Sequence, residues 1–331
     1  MSSYPKTYGE FVKWFPDDAA CYAYLFKIRW SNGFICTRCG ESKYWLDKAG
    51  LYRCHKCLFK LSITAGTIFQ DRKKPLLQWL HAAWHITENK HGTSARSLQK
   101  ALGLGSYHTA WTWLHKFRVA MVSPQRDKLC GKIEVDEIFI GGPKPGKRGR
   151  GADGKELVLV AAEKDGQHIG RVRLVHISDA TAETLNMALG YIIKPGSTIY
   201  TDGWAGYSTK QLKSLGYTHV IVCTNAHLGD NLLPFANIIA SLLKRWLLGI
   251  LQGGIQATHL GYYLDEFTFR FNRRTSKFRG LLFYRLLENA INVSPAVEAS
   301  ARSNSKCNIL FICEDVSWKE NTSTLHSAIG R

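Results

Sequence analysis

The fold is decided by the stretch Gly131-Lys-Ile-Glu-Val-Asp-Glu-Ile-Phe-Ile-Gly-Gly142, an apolar run with Asp136 at its centre. A second apolar run, Thr198-Ile-Tyr-Thr-Asp-Gly203, ends at Asp202. Short apolar runs bounded by glycine are typical of strands. Two strands that each present an acidic group can hold divalent metals against a phosphodiester. Asp136 and Asp202 are therefore the candidate catalytic carboxylates, although a structural carboxylate and an ordinary Asp-Gly turn are the simpler alternatives.

The residues around these two runs alternate between strand and helix patterns. They predict strands at 133–140, 156–162, 169–177, 197–201 and 218–223, and helices at 182–191, 206–215 and 232–251. Three successive strands followed by alternating helices and strands predict an α/β fold with a mixed five-stranded sheet and flanking helices. This is the element order of the ribonuclease-H-like fold. In that order the strand ends bring Asp136 and Asp202 together.

The long predicted helix 232–251 supplies a third oxygen donor, Asn237, followed by Lys244. Residues seven positions apart share a helix face, so Lys244 can reach a phosphate that Asn237 helps to position. Hard cations such as Mg²⁺ or Mn²⁺ prefer oxygen ligands. We therefore predict a two-metal site formed by Asp136, Asp202 and Asn237.

An asparagine is unusual at the third position, because such sites more often use a carboxylate there. Asp230 and Glu266 are the alternatives to Asn237. An asparagine on an amphipathic helix is also commonly just solvated. Glu137 follows Asp136 directly, and alternation along a strand sends its side chain to the opposite face.

Two Cys-x-x-Cys pairs, Cys36-Thr-Arg-Cys39 and Cys54-His-Lys-Cys57, lie near the N-terminus. Two such pairs are typical of a closed tetrahedral zinc site, and two correctly spaced pairs argue against a redox pair or chance cysteines. Strand patterns between the pairs, around a turn at 47–50, predict a zinc ribbon. A module this small buries little core, so the bound zinc should supply much of its folding free energy.

Residues 93–121 have the pattern of two helices joined by a glycine turn, which is typical of a helix-turn-helix. Ser94 is the predicted cap of the first helix, which ends near Leu102, and the second helix covers about 106–121. In such motifs the second helix enters the major groove of DNA. A plain helical hairpin is the alternative. The predicted DNA contacts here are Arg96, Tyr107, His108, Thr109 and Lys116.

Two further basic groups are candidates for contacts with DNA phosphate. The first is the loop after the Asp136 strand, with Lys144, Lys147 and Arg148, which is otherwise a solvated hairpin tip. The second comprises Arg270, Arg273 and Arg274, predicted on the helix after the site, which otherwise cover a polar helix face.

The composition agrees with a globular protein that binds nucleic acid. The chain has 331 residues, 45% of them apolar, and a formal net charge of +18. A balance this basic favours nucleic acid as the partner, with an anionic membrane surface as the rival. We predict no membrane span, because Lys244 and Arg245 interrupt the most apolar stretch. No secretory signal is visible, and unpaired cysteines favour a reducing cytoplasm.

With these motifs in order, the chain resembles the insertion-sequence DNA transposases that have an N-terminal zinc ribbon and an Asp-Asp-Asn/Glu/His-Lys catalytic domain. The resemblance runs from about Phe11 to Leu287. It is carried by Phe34-Ile-Cys-Thr-Arg-Cys-Gly, Leu61-Ser-Ile-Thr-Ala-Gly-Thr-Ile-Phe, Val135-Asp-Glu-Ile-Phe-Ile-Gly-Gly, Tyr200-Thr-Asp-Gly-Trp and Tyr263-Leu-Asp-Glu-Phe-Thr-Phe-Arg-Phe-Asn-Arg-Arg274. The family's catalytic residues fall on Asp136, Asp202, Asn237 and Lys244. In the most similar branch, a histidine often stands where this chain has Asn237.

The resemblance implies that the protein binds terminal inverted repeats, cleaves DNA with Mg²⁺ and joins the freed 3′-hydroxyl to target DNA. Synapsis of two ends implies a homodimer or larger assembly, in the bacterial cytoplasm at the nucleoid. Two alternatives stay open. One is a catalytically weak relative that acts as a DNA-binding repressor, and the other is a structure-selective nuclease with the same fold.

Four segments are predicted along the chain. Residues 1–70 form an N-terminal helix and the zinc ribbon, and residues 71–128 form the helix-turn-helix segment. Residues 129–293 form the ribonuclease-H-like catalytic domain. Residues 294–331 form a tail to which the sequence assigns no role.

Overall fold

The computed structural model describes residues 4–122, 126–141, 155–222, 232–251 and 255–293. The described residues form two compact units, one made of 4–122 with 273–293 and the other of the described parts of 126–272. Three sets of predicted features lie outside the described residues: Lys144, Lys147 and Arg148 of the basic loop, Asp230, and the tail 294–331.

The strands and helices of 133–251 follow one another in the order that the sequence patterns predict, with small shifts at their ends. The helices are α1 (Tyr8–Trp14), α2 (Asp18–Arg29), α3 (Leu76–Glu88), α4 (Ala95–Leu102), α5 (Tyr107–Ala120), α6 (Ala182–Ile192), α7 (Thr209–Ser214), α8 (Pro234–Leu251), α9 (Ala257–Phe271) and α10 (Arg279–Ala290). The strands are β1 (Tyr44–Leu46), β2 (Tyr52–Cys54), β3 (Lys60–Leu61), β4 (Lys132–Ile140), β5 (Glu156–Asp165), β6 (His168–Ile177), β7 (Thr198–Thr201) and β8 (Thr218–Ile221).

In the first unit, β1, β2 and β3 form a small antiparallel sheet. The turn between β1 and β2 is held by Asp47, whose carboxylate accepts hydrogen bonds from the backbone N–H groups of Ala49 and Leu51. Gly50 closes this turn at φ 75°, a left-handed conformation that glycine adopts without steric cost. The aromatic rings of Phe26 on α2 and Tyr52 on β2 stack, 5.2 Å apart, and join the sheet to the helix.

Helices α3, α5 and α10 form the apolar centre of the first unit. The rings of Trp79 on α3 and Trp113 on α5 stack with centroids 3.9 Å apart. Phe283 on α10 is fully buried against Phe11 and Trp84. Helix α10 therefore packs with the N-terminal helices, although the sequence placed it in the catalytic segment 129–293. Its amphipathic pattern predicts a buried face but cannot specify which core covers that face.

The second unit is built on a five-stranded sheet with the order β6-β5-β4-β7-β8. Strands β4, β5 and β6 pair antiparallel, whereas β7 is parallel to both β4 and β8. This is the predicted mixed sheet, and with its flanking helices it forms an α/β fold consistent with a ribonuclease-H-like architecture. Parallel strands need a crossover connection, and α6 provides it between β6 and β7.

Each face of the sheet has its own core, and the side chains of β4 alternate between the two. Ile133 and Val135 pack with α6 and α7 on one face, whereas Ile138 and Ile140 pack with α8 and α9 on the other. Odd-numbered and even-numbered positions of β4 therefore face opposite layers, as strand geometry requires. Asp136 belongs to the α8 face and Glu137 to the α6 face, which confirms the predicted alternation.

By length and composition alone, α8 is apolar enough to cross a membrane, with a mean hydropathy of 1.3. It is the single such helix among the described residues. Its buried side, which includes Ile239 and Leu243, packs over the sheet. A core helix of this kind passes the same test as a membrane span, so the finding is weak evidence for a membrane.

Candidate catalytic and zinc sites

Strand β4 carries the candidate Asp136 and pairs in parallel with β7, which ends one residue before the candidate Asp202. The parallel register pairs Ile133 with Ile199 and Glu134 with Tyr200. Continuing this register by two residues matches Asp136 with Asp202, which follows the last residue of β7. Neighbouring strands lie about 4.8 Å apart, so two carboxylates in this arrangement can share a small cation.

The buried residue Tyr207 packs against the α6 face of the sheet, within electrostatic range of the acidic groups. Burial raises the pKa of Tyr207 well above its usual value, and the negative charges of Glu137, Asp136 and Asp202 raise it further. Both candidate aspartates thus act electrostatically on one side chain. Tyr207 therefore stays protonated at neutral pH.

The turn after β7 fixes the position of Asp202. Its carboxylate accepts a hydrogen bond of 2.9 Å from the backbone N–H of Trp204, as aspartates do in turns. Gly203 has φ 81°, a conformation that favours glycine. The indole N–H of Trp204 donates to the carbonyl of Ala180 at 3.2 Å and so anchors the turn. The hydrogen bond that stabilises the Asp202-Gly203 turn therefore also holds the carboxylate of Asp202 in place.

Helix α8 presents Asn237, Ser241 and Lys244 on its exposed side, next to the buried face that contacts the sheet. The predicted helix and the shared face of these residues are both observed. The backbone N–H of Asn237 donates to the carbonyl of Leu233 at 3.0 Å, so Asn237 belongs to the ordered first turn of the helix. An exposed amide oxygen here is a chemically suitable, uncharged donor for a hard cation.

The alternative carboxylate Glu266 lies in a different setting. It is 1% exposed and pairs with Arg270 at 2.7 Å on the same helix, α9. Helix α9 packs along β6, an edge strand that two strands, β5 and β4, separate from β7. This location does not favour Glu266 as a third metal ligand, because its charge is already used by a buried partner.

The three arginines predicted to contact DNA after the catalytic site lie in different environments. Arg270 is buried in the pair with Glu266, so its location does not favour a contact with DNA phosphate. Arg273 and Arg274 follow the end of α9 at Phe271, so they are not on that helix as predicted. Arg274 is exposed and Arg273 half-buried, and burial lowers the pKa of both guanidinium groups.

The four predicted zinc ligands form one cluster. The sulfur atoms of Cys36, Cys39, Cys54 and Cys57 all lie within 4.8 Å of one another. The Sγ atoms of Cys36 and Cys57 are 3.6 Å apart, and those of Cys39 and Cys54 are 3.4 Å apart. A tetrahedral shell with Zn–S bonds of about 2.3 Å requires sulfur atoms roughly 3.8 Å apart. The cluster therefore fits a structural zinc ion.

The predicted helix pair of the DNA-binding segment is observed as α4 and α5. The hydroxyl of Ser94 caps α4 by accepting from Ser97 N–H at 3.1 Å, and Gly103 ends the helix in a left-handed conformation. At the start of α5, Tyr107 and His108 are exposed, and the guanidinium of Arg96 lies 5.8 Å from the Tyr107 ring. These exposed groups form one polar and aromatic surface.

The other two predicted contacts on α5 are less exposed. Thr109 is half-buried, and so is Lys116, whose ammonium lies 5.9 Å from the Trp79 ring. The aromatic residues Trp113 and Phe117 are core.

Sequence patterns missed two residues beside the candidate site, Glu134 and Tyr207. Glu134 lies two positions before Asp136 on the same face of β4, and strand alternation alone could have drawn attention to it. Tyr207 lies in the segment Asp202-Gly-Trp-Ala-Gly-Tyr207, where no pattern distinguishes it from an ordinary core aromatic.

Comparison with known families identifies two regions of the chain. Residues 128–272 match the ISXO2-like transposase domain, and residues 16–58 match the transposase zinc-ribbon domain. The first match spans the sheet, α6 to α9 and all candidate catalytic residues. The second includes the four clustered cysteines. A search of curated proteins found no match.

Proposed function

Because this chain has the zinc ribbon and the catalytic domain of the ISXO2-like insertion-sequence transposases, we propose that it moves its own insertion sequence. In this proposal it binds the terminal inverted repeats, cleaves DNA at the ends, and joins the freed 3′-hydroxyl to target DNA. The observation that supports the proposal is the parallel pairing of β4 and β7, whose register, continued two residues beyond the paired positions, would match Asp136 with Asp202. The transposase domain itself indicates a DNA-cutting enzyme.

The donor set of the candidate site fits Mg²⁺ or Mn²⁺. Two carboxylates on paired strands and one amide on the adjoining helix offer only oxygen atoms, which hard cations prefer. When bound, such metals lower the pKa of the attacking water or 3′-hydroxyl and stabilise the leaving oxygen. Asp136 and Asp202 would hold the metals, and Asn237 would add a neutral ligand.

In the proposed mechanism, Lys244 binds the phosphate that undergoes transfer. It is exposed on α8, on the same side as Asn237. An ammonium group on a flexible stem acts as a point charge toward phosphate. Its charge would neutralise part of the negative charge of the phosphate, which otherwise repels the two aspartates.

The first unit would supply recognition of the DNA. The exposed start of α5, with Arg96, Tyr107 and His108, is proposed to contact the terminal repeat, with Thr109 and Lys116 at its margin. The zinc ribbon, Arg273 and Arg274 are proposed as further contacts, mainly with backbone phosphate. The net charge of +18 supports this assignment. Two DNA ends must be held at once, so we propose a homodimer or a larger assembly on DNA, acting at the nucleoid in the cytoplasm.

The decisive experiment incubates the protein with duplexes that bear the ends of its own element, together with Mg²⁺ or Mn²⁺. Both nicking at the ends and joining of a 3′ end to a second duplex are expected. Nicking without joining would favour the structure-selective nuclease. Tight binding to the ends with neither reaction would favour the DNA-binding repressor and would reject the proposed enzyme.

A further inference from the structure

A buried carboxylate on the catalytic strand holds the start of α8. Glu134 is 1% exposed and lies on β4, on the same face as Asp136. One of its oxygens accepts hydrogen bonds from the backbone N–H groups of Phe235 at 2.7 Å and Ala236 at 3.1 Å. These groups belong to the first turn of α8, whose N–H groups have no partner within the helix.

These two hydrogen bonds account for the backbone N–H donors at the start of α8 that have no partner within the helix. Pro234, the first residue of α8, has no N–H to donate. The N–H of Asn237 already donates to Leu233. Glu134 therefore accepts from the two intervening donors, and its negative charge lies at the positive end of the helix dipole. The helix start is fixed to β4 by a charged, buried acceptor from another element.

The other carboxylate oxygen of Glu134 connects the start of α8 with β5 and β7. It accepts a hydrogen bond of 2.9 Å from the ammonium of Lys164 on β5. That ammonium also lies 5.2 Å from the ring of Tyr200 on β7 and 5.2 Å from the ring of Phe235 on α8. Tyr200 is the β7 partner of Glu134 in the sheet. One carboxylate–ammonium pair thus joins β4, β5, β7 and α8.

These are the elements that carry the candidate ligands: Asp136 on β4, Asp202 after β7, and Asn237 on α8. We propose that Glu134 is a positioning residue that sets Asn237 relative to the Asp136–Asp202 pair. Asn237 directly follows Ala236, so any movement of the helix start moves its amide. This inference rests on the proposed function, because it takes Asn237 as a metal ligand.

The first test measures Mn²⁺ affinity by electron paramagnetic resonance on the zinc-loaded full chain. Glu134→Gln is expected to weaken Mn²⁺ binding about 10- to 100-fold, the usual effect of losing a group that orients a metal ligand. Glu163→Gln is the matched control. It removes a carboxylate on β5 that pairs with Arg171 at 2.7 Å, and it should leave Mn²⁺ affinity unchanged. Wild-type affinity in Glu134→Gln would overturn the inference.

A double-mutant cycle separates positioning from general support of the fold. If Glu134 acts through Asn237, Glu134→Gln should cause a much smaller loss of Mn²⁺ affinity in an Asn237→Ala background. Equal losses in the two backgrounds would overturn the inference. Should Glu134→Gln fail to fold, Glu134→Asp serves instead. It keeps the charge but shortens the reach by one methylene, and the same weakening is expected.

The same samples distinguish a failure of the positioning role from a failure of the proposed function. If the wild type binds Mn²⁺ and Glu134→Gln weakens that binding, yet no DNA end is cut, the positioning role stands and the transposase proposal fails. If the wild type cuts and joins ends and Glu134→Gln does so with wild-type metal dependence, the transposase proposal stands and the positioning role fails.

Discussion

The zinc-ligand cluster and the candidate catalytic pair of this protein are placed by different means. In the zinc ribbon, four cysteines converge within a sheet whose strands have two or three residues. In the second unit, Asp136 lies on β4 and Asp202 follows the paired strand β7, in a sheet with an apolar core on each face. We therefore expect the fold of the first site to depend on zinc, whereas apolar cores should hold the second without a metal.

The largest expected effect is the loss of zinc. Structural zinc contributes binding free energy of about 10–16 kcal/mol in small zinc modules, and this energy folds them. Cys36→Ser should therefore release zinc and unfold the ribbon, which zinc analysis and backbone NMR would show. Binding to the terminal repeats should fall, while Mn²⁺ binding by the sheet unit is retained.

Cys130→Ser is the matched control, because Cys130 is an exposed cysteine outside the cluster. It should keep zinc, fold and binding to the ends. A folded ribbon in zinc-free Cys36→Ser protein would show that the fold of the ribbon does not depend on zinc, and the contrast between the two sites would then be wrong.

Removing either aspartate tests the other side of the comparison. Asp136→Ala should lower the rate of strand cleavage by about 10³-fold or more, the scale of losing one essential electrostatic group. Asp202→Ala should act equally. Because register and apolar cores hold the sheet, thermal unfolding and binding to the ends should stay close to those of the wild type.

The exposed Asp165 at the end of β5 offers a matched carboxylate away from the site. Asp165→Ala should cut DNA at the wild-type rate. If Asp136→Ala or Asp202→Ala cuts as fast as this control, the assignment of the catalytic pair is wrong. If either variant unfolds, the carboxylates are part of the fold and the two sites differ less than proposed.

A smaller effect is expected where the turn after Asp202 is tightly packed. A Cβ on Gly206 would lie 2.7 Å from the Ala180 carbonyl oxygen and 2.9 Å from a Leu185 methyl. Gly206→Ala should therefore lower the free energy of unfolding of the sheet unit by about 1–3 kcal/mol. Urea denaturation followed by fluorescence measures it.

Gly190 on α6 is the matched control, because nothing lies within 4 Å of a Cβ built there. Gly190→Ala should raise the free energy of unfolding by about 0.5–1 kcal/mol, since alanine favours helix. Equal stabilities of the two variants would show that the turn can relax and that Asp202 is held less firmly than its hydrogen bonds indicate.

Local sequence patterns predicted the structural features that depend on residues close together in the chain. The four cysteines, the cap of α4, and the alternation of Asp136 and Glu137 along β4 were all available from spacing. The packing of α10 and the Glu266–Arg270 pair could not be predicted in this way. The pattern of an amphipathic helix does not show which core covers its apolar face, and a charged residue alone does not show which residue it pairs with. Glu134 shows the limit most clearly. Its bonds reach from β4 to Phe235 and Ala236, a hundred residues along the chain.

The smallest expected effect compares one matched pair of helix caps. Ser94 accepts a hydrogen bond from Ser97 N–H at the start of α4, and Thr181 accepts one from Thr184 N–H at the start of α6. Replacing either cap by alanine should cost about 1 kcal/mol of stability. Ser94→Ala should also weaken binding to the terminal repeats in fluorescence anisotropy, because α4 supports the exposed start of α5. Thr181→Ala should leave that binding unchanged. Equal binding by both variants would argue against α4 and α5 as the recognition surface and would leave the ribbon as the main DNA contact.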